Sequence, residues 1–191
     1  FGFWSEVVGW TSPYTQSADY FNRCATGVVC SVPFNNMGFQ EPAEGDAYMG
    51  IATFVNDGPN YREVIATELA EPLEVGVPTY LSFKCSPGGF GSWVGNSARW
   101  KAKGPGMQFF RTLPSNWQAY LYPNAAALEM TTTLSDTSTW VTISGTYIPD
   151  SAYSWLVITN FYENTLSLPV FMDSLGIWDV AYAFVDDVCV S

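Results

Sequence analysis

The sequence predicts an all-β chain, a sandwich or jelly roll of antiparallel sheets. Short runs rich in Val, Ile, Thr, Tyr and Phe recur between breaks made of Gly, Pro and Asn, and no stretch carries the pattern of a long helix. Hydrophobic residues make up 48% of 191 residues, ample for a sizeable core in one domain spanning 1–191. Aromatic residues reach 17%, which suits sheet interiors and also surfaces that stack on ligands.

The elements follow in chain order. Gly45-Asp46 is a turn, and Ala47 to Phe54 reads as a strand. Asn56-Asp57-Gly58-Pro59 is a strong break. Tyr61 to Leu69 reads as a short helix or an irregular strand. Glu71 to Pro78 is a turn before the strand Thr79 to Lys84, and Ser86-Pro87-Gly88-Gly89-Phe90-Gly91 opens a glycine-rich loop. Trp140 to Tyr147 and Tyr153 to Thr159 are strands separated by the Pro149-Asp150 turn. No internal repeat is present.

The closing run, Ala181 to Val190, is an apolar strand with Asp186 and Asp187 in its middle. Alternation puts Tyr182, Phe184, Asp186, Val188 and Val190 on one face and Ala181, Ala183, Val185, Asp187 and Cys189 on the other. Whichever face is buried carries a carboxylate that needs a hydrogen bond, a counter-charge or a metal.

Composition narrows the chemistry. The chain has no histidine, which removes the Ser-His-Asp and Cys-His arrangements and the commonest transition-metal ligand. Oxygen ligands remain, and these favour calcium over zinc. Cys24, Cys30, Cys85 and Cys189 form no C-x-x-C pair. Cys24 and Cys30 bracket a short segment that a local disulfide would close, and Cys85 and Cys189 lie at strand positions that would pair across a sheet; four cysteines allow three connectivities. An even count without metal spacing points to an oxidising, extracellular setting. No run is long and apolar enough for a transmembrane helix, so membrane insertion is not expected. No signal peptide is visible, and a chain opening at Phe1 reads as a processed product or a partial segment.

Charge is uneven. The total of 18 acidic and 7 basic residues argues against nucleic acid as a partner. Between Lys84 and Leu128 there is no Asp or Glu, while Lys84, Arg99, Lys101, Lys103 and Arg111 all fall there. The same stretch holds Phe90, Trp93, Trp100, Phe109, Phe110, Trp117, Tyr120 and Tyr122. This basic, aromatic, insertion-like region, about 86–117, is either a solvated loop or a surface for an acidic polysaccharide or an acidic patch on another protein. Its expected ligand residues are Trp93, Trp100, Lys101, Lys103, Trp117 and Tyr120, with Tyr122 behind them. Salt-sensitive glycan binding, lost on Trp93→Ala or Trp100→Ala, would mark that surface.

Several blocks then resemble, in order, a jelly-roll domain of surface and secreted proteins from gliding bacteria with type IX secretion. They are Asp19 to Cys24, Gly38 to Pro42, Gly45 to Ile51, Tyr61 to Ile65, Leu73 to Gly76, Trp140 to Tyr147, Leu156 to Phe161 and Val185 to Val188. The resemblance implies a jelly-roll β-sandwich of two antiparallel sheets, similar to carbohydrate-binding modules and galactose-binding-like sandwiches. It implies a non-catalytic module at the cell surface that binds glycan or adheres. It also implies a structural calcium near the junction of the first and last strands, with Asp186, then Asp187, as ligands and Asp46 as a loop ligand. The adjacent Arg62 and Glu63 are a structural signature of the family, with Arg62 holding a carboxylate or loop carbonyls. In departure from the family, Phe1 to Val8 lacks the usual opening strand, so a sheet edge would be open to strand addition. A structural subunit that self-associates into an oligomer or filament is therefore the alternative to a glycan-binding module. Catalysis is not expected, because Asp186 and Asp187 point to opposite faces and cannot flank one glycosidic bond. Two carboxylates with raised pKa in one aromatic cleft would overturn that expectation.

Overall fold

A computed structural model describes residues 7–13, 17–57, 60–92, 95–114 and 124–191. The strands are β1 (Trp10–Thr11), β2 (Asp19–Asn22), β3 (Phe34–Asn35), β4 (Gly38–Phe39), β5 (Ala47–Val55), β6 (Ile65–Glu68) and β7 (Thr79–Gly88). They continue with β8 (Ala98–Lys101), β9 (Pro105–Phe110), β10 (Leu128–Glu129), β11 (Val141–Tyr147), β12 (Trp155–Asn160), β13 (Val170–Phe171) and β14 (Trp178–Val190). One sheet runs β1-β6-β12-β9-β10, and the other runs β11-β7-β14-β5-β2, with β8 and β13 attached beside β14. Pairings along both main paths are antiparallel; β8 alone lies parallel to β14.

The long strands alternate sheets: β5, β7, β11 and β14 in one, β6, β9 and β12 in the other. That winding is a jelly roll, and the fold is the predicted all-β sandwich of two antiparallel sheets. Within 61–69 the strand is β6, Ile65–Glu68, where pairing with β12 on one side and β1 on the other overrides the helix formers. The described residues of the region 86–117 are not all loop: they contribute the end of β7, β8 and β9, and β9 lies between β12 and β10.

Between the sheets lies the main core, with Met49, Ile51, Leu81, Phe83, Cys85, Ala183 and Val185 from one sheet and Ile65, Met107, Leu156 and Ile158 from the other. A second cluster covers the outer face of the β2-β5-β14 sheet, where Phe21, Tyr48, Tyr182 and Phe184 pack against Cys30 and Met37 of the 24–40 segment. Fully burying a Phe such as Phe21, Phe83 or Phe184 is worth about 1.5–3 kcal/mol.

The closing strand departs from simple alternation. Asp186 lies opposite Lys84 and Cys189 opposite Ser82, so β14 carries one extra residue there. Asp187, at φ 48°, is that bulge. The faces therefore exchange: Val188 and Val190 pack on the main core with Ala183 and Val185, while Tyr182 and Phe184 belong to the outer face. The expected grouping of Val188 and Val190 with Tyr182 is corrected for this reason.

The bulge also decides the cysteines. Cys85 faces the main core opposite Val185, whereas Cys189 turns to the other face near Ser191, so the two do not meet. All four cysteines are free thiols, including Cys24 and Cys30, which line one recess.

Candidate functional site

The described basic and aromatic residues, Trp100, Lys101 and Lys103, have separate partners. Trp93, Trp117, Tyr120 and Tyr122 lie outside the described residues. Trp100 and Lys101 are neighbours on β8 and diverge as strand neighbours do. Trp100 packs edge-on against Phe54 and Phe171, and its indole N–H donates to Asp179 at 2.6 Å. Lys101 is buried; its ammonium donates to the Ser135 carbonyl and lies 5.3 Å from the Phe90 ring centre, and burial lowers its pKa. Lys103 sits over the Tyr162 ring at 3.8 Å. Of these three side chains only Trp100 packs on β13; Lys101 and Lys103 reach other segments.

The expected calcium ligands also point to separate partners. Asp186 Oδ2 accepts the N–H groups of Ala43 at 2.7 Å and Glu44 at 3.2 Å, and Oδ1 accepts that of Asp187 at 2.8 Å. The carboxylate thus pins the 41–46 turn to the closing strand. Asp187 pairs with Lys84 at 3.1 Å, and Asp46 with Arg23 at 3.1 Å. Among the described residues no three Cys, Asp or Glu side chains cluster, and each of these three carboxylates is engaged by N–H donors or a basic side chain.

Arg62 and Glu63 separate in the same way. Arg62 is 1% exposed and donates to the carbonyls of Tyr61 and Tyr162, to Asn164 Oδ1 and to Ser167 Oγ. Burial lowers its pKa to about 10. It fastens the 160–167 turn, as expected for an Arg that holds loop carbonyls.

Glu63 points instead into a pocket of about 280 Å³ on the outer face of the β2-β5-β14 sheet. Its walls are Ser17, Asp19, Met37, Ala52, Tyr61, Glu63, Trp178, Val180 and Tyr182. Strand pairing assembles them: Asp19 lies opposite Gly50, and Tyr182 opposite Ala52. The Tyr182 ring crosses Gly50 to donate its hydroxyl to Asp19 Oδ2 at 2.7 Å. Only glycine permits this, since a Cβ at residue 50 would sit 2.3 Å from the Tyr182 oxygen. Glu63 is held by Ser17 Oγ at 2.8 Å and by the Ala52 N–H at 2.7 Å.

Asp19 is 7% exposed and Glu63 5%. Burial pushes the Asp19 carboxyl up to about 7; the Tyr182 hydrogen bond opposes the rise and the Glu63 charge adds to it. Burial also raises Glu63, against its hydrogen bonds from Ala52 and Ser17. Two carboxyls with raised pKa therefore do share a cleft with Tyr61, Trp178 and Tyr182, the arrangement that bears on catalysis. Both oxygens of Glu63 are engaged by donors, which makes it a fixed acceptor. Strand pairing brings these residues together from positions 17 to 182, which local motifs do not display. The available signal was Asp19 sharing a strand face with Phe21.

No family model matches the chain, and no curated protein matches it. Several solved structures align with it along nearly its whole length. A cleaved adhesin domain of Lys-gingipain from Porphyromonas gingivalis W83 aligns over 97% of this chain and 91% of its own, at 11% identity and TM-score 0.50. The CBM22-1 and GH10 modules of a Clostridium thermocellum endo-1,4-beta-D-xylanase, complexed with xylohexaose, align over 96% of this chain at 13% identity and TM-score 0.47. This chain spans 26% of that xylanase chain. A family 11 carbohydrate-binding module from Clostridium thermocellum, in complex with a beta-1,3-1,4-mixed-linked tetrasaccharide, aligns over 98% of this chain and 91% of its own, at 11% identity and TM-score 0.39. At 11% identity the likeness to the adhesin domain is one of fold alone. Among the described residues no helix is long and apolar enough to cross a membrane.

Proposed function

We propose that this chain is an extracellular binding module that takes carbohydrate in the Asp19–Glu63 pocket. The observation that carries the reading is the pocket itself, where the Trp178 and Tyr61 rings stand beside buried, fixed hydrogen-bond acceptors on one sheet face. Rings offer apolar sugar faces a stacking surface, and carboxyl oxygens accept from hydroxyls. A volume near 280 Å³ suits a single sugar residue better than a long chain in a groove. The adhesin neighbour supports an adhesive use of the same fold. A parent protein from gliding bacteria with type IX secretion is part of this proposal and rests on the sequence blocks alone.

Titration calorimetry of the chain against xylohexaose, mixed-linked glucan and chitin oligomers tests it. Saturable binding that falls at least tenfold in Trp178→Ala supports the reading; heat-silent titrations with folded protein across the panel sink it.

Self-association is a second reading, favoured by β11. Its seven residues pair only with β7 among the described residues, leaving one edge for strand addition. Sedimentation showing a clean monomer at high concentration removes that reading.

A further inference from the structure

We infer that the segment 166–177 is the surface through which two copies of this chain dimerise, an inference that rests on the self-association reading above and places the contact away from the β11 edge. Val170, Phe171, Met172, Leu175 and Ile177 are all exposed, from 45% at Met172 to 86% at Leu175, and the exposed Leu166 and Leu168 precede them. They form one margin, because the segment runs antiparallel to β8 and its flanks. Ser167 O accepts the N–H of Lys103 at 3.0 Å, Val170 and Phe171 lie opposite Lys101 and Trp100, and Arg99 O accepts the N–H of Met172 at 2.8 Å. Further on, the Arg99 guanidinium donates to Gly176 O at 2.7 Å, and the Ile177 N–H donates to Asn96 O at 3.3 Å. Leu168 holds φ 45°, a left-handed backbone that is costly for leucine. Strain kept on an exposed apolar side chain fits one that an assembly covers.

A second copy is the occupant that matches this surface. Together these side chains expose about 700 Å², more than the largest apolar patch of a typical monomer and close to the roughly 800 Å² that each partner buries in a stable dimer. A two-fold contact sets the patch against itself, so apolar side chains meet apolar side chains. β13 pairs only with β8 among the described residues, which leaves its outer edge open to the same edge of the copy. Charge permits the approach although the chain carries −11 overall. Residues 164–178 include a single charge, Asp173, which accepts the Asn96 amide at 2.6 Å and the Leu175 N–H at 2.8 Å. The chain beneath, 97–103, brings Arg99, Lys101 and Lys103 and no carboxylate. Other occupants fit less well. An anionic lipid surface repels so acidic a protein, and aliphatic side chains offer a sugar no ring to stack on.

The test is sedimentation equilibrium of the full chain from micromolar to near-millimolar concentration, beside Leu175→Asp, Phe171→Ser, Thr142→Lys in β11 and Val75→Asp, each checked for folding by its melting curve. A monomer–dimer equilibrium that weakens at least about tenfold in Leu175→Asp and in Phe171→Ser, and holds in Thr142→Lys and Val75→Asp, supports the inference. Val75 is exposed in the 71–78 turn, so it controls for the loss of any surface apolar side chain. A dimer that survives Leu175→Asp and Phe171→Ser overturns the inference and leaves self-association standing; its loss in Thr142→Lys would return the contact to the β11 edge. A monomer at every concentration overturns self-association and the inference with it. A monomer that co-floats with phosphatidylcholine vesicles, and stops doing so in Leu175→Asp, overturns the inference by naming lipid as the partner.

Discussion

Asp19→Asn should make the protein less sensitive to rising pH. The asparagine keeps an oxygen to accept the Tyr182 hydroxyl, so packing and the 2.7 Å hydrogen bond are preserved while the charge is removed. In the native protein the Asp19 carboxyl rises from an ordinary 3.8 to about 7, chiefly through burial. The folded value exceeds the unfolded one, so the stability it contributes is complete below the unfolded value and lost as pH rises through the folded value. At about 1.4 kcal/mol for each tenfold change in proton affinity, the full loss is about 4 kcal/mol, of which about 2–3 kcal/mol falls between pH 5 and pH 8. Glu63 shifts in the same direction and is retained in both proteins, so comparing them isolates Asp19 and its coupling to Glu63. For a chain of this length the difference corresponds to about 5–10 °C in melting temperature. The assay is urea unfolding of both proteins at half-unit intervals from pH 5 to 8. The stability of the variant relative to the native protein should rise by about 2–3 kcal/mol from pH 5 to pH 8. Curves that stay parallel across the range, or a variant destabilised equally at every pH, would refute the argument.

Three further outcomes follow from the same structure. Arg62→Met removes donors to two carbonyls, Asn164 and Ser167, and should cost about 3 kcal/mol or more by urea denaturation; a loss below 1 kcal/mol would show that the 160–167 turn does not depend on it. Gly50→Ala places a Cβ 2.3 Å from the Tyr182 oxygen and should cost about 1–3 kcal/mol, whereas Gly27→Ala, with open space around its Cβ, should stay within about 0.5 kcal/mol; equal effects would contradict the crossing of Tyr182 over residue 50. Melting with a chelator and with added calcium should give the same midpoint, because Asp186 is satisfied by backbone N–H groups; a calcium-dependent rise would establish a bound ion.

The sandwich was legible because its evidence is local. Strand runs such as Thr79 to Lys84 and Tyr153 to Thr159, and breaks such as Pro149-Asp150, require only neighbouring residues to be read. The closing strand was legible as a strand, and Asp186 as an anchor in it, but its faces were not. One residue in a left-handed conformation, Asp187, reverses the alternation, and nothing in the apolar run announces it. That reversal separated Cys85 from Cys189. The basic aromatic segment was legible as rings and charges but not as a surface: counts do not say which way a side chain points, and β8 sends Trp100 and Lys101 apart. The pocket was hidden by distance in sequence. Asp19, Glu63 and Trp178 meet only once β2, β5 and β14 pair, and the passage of Tyr182 depends on an unremarkable glycine on the strand between them.

The most direct measurement follows the indole N–H signals of the eight tryptophans while the glycan with the highest affinity is titrated. Trp178 should shift with a single saturating curve, and Trp100, whose N–H is held by Asp179 at 2.6 Å, should stay in place. A shift at Trp100 with Trp178 unmoved would contradict the account and return recognition to the basic segment.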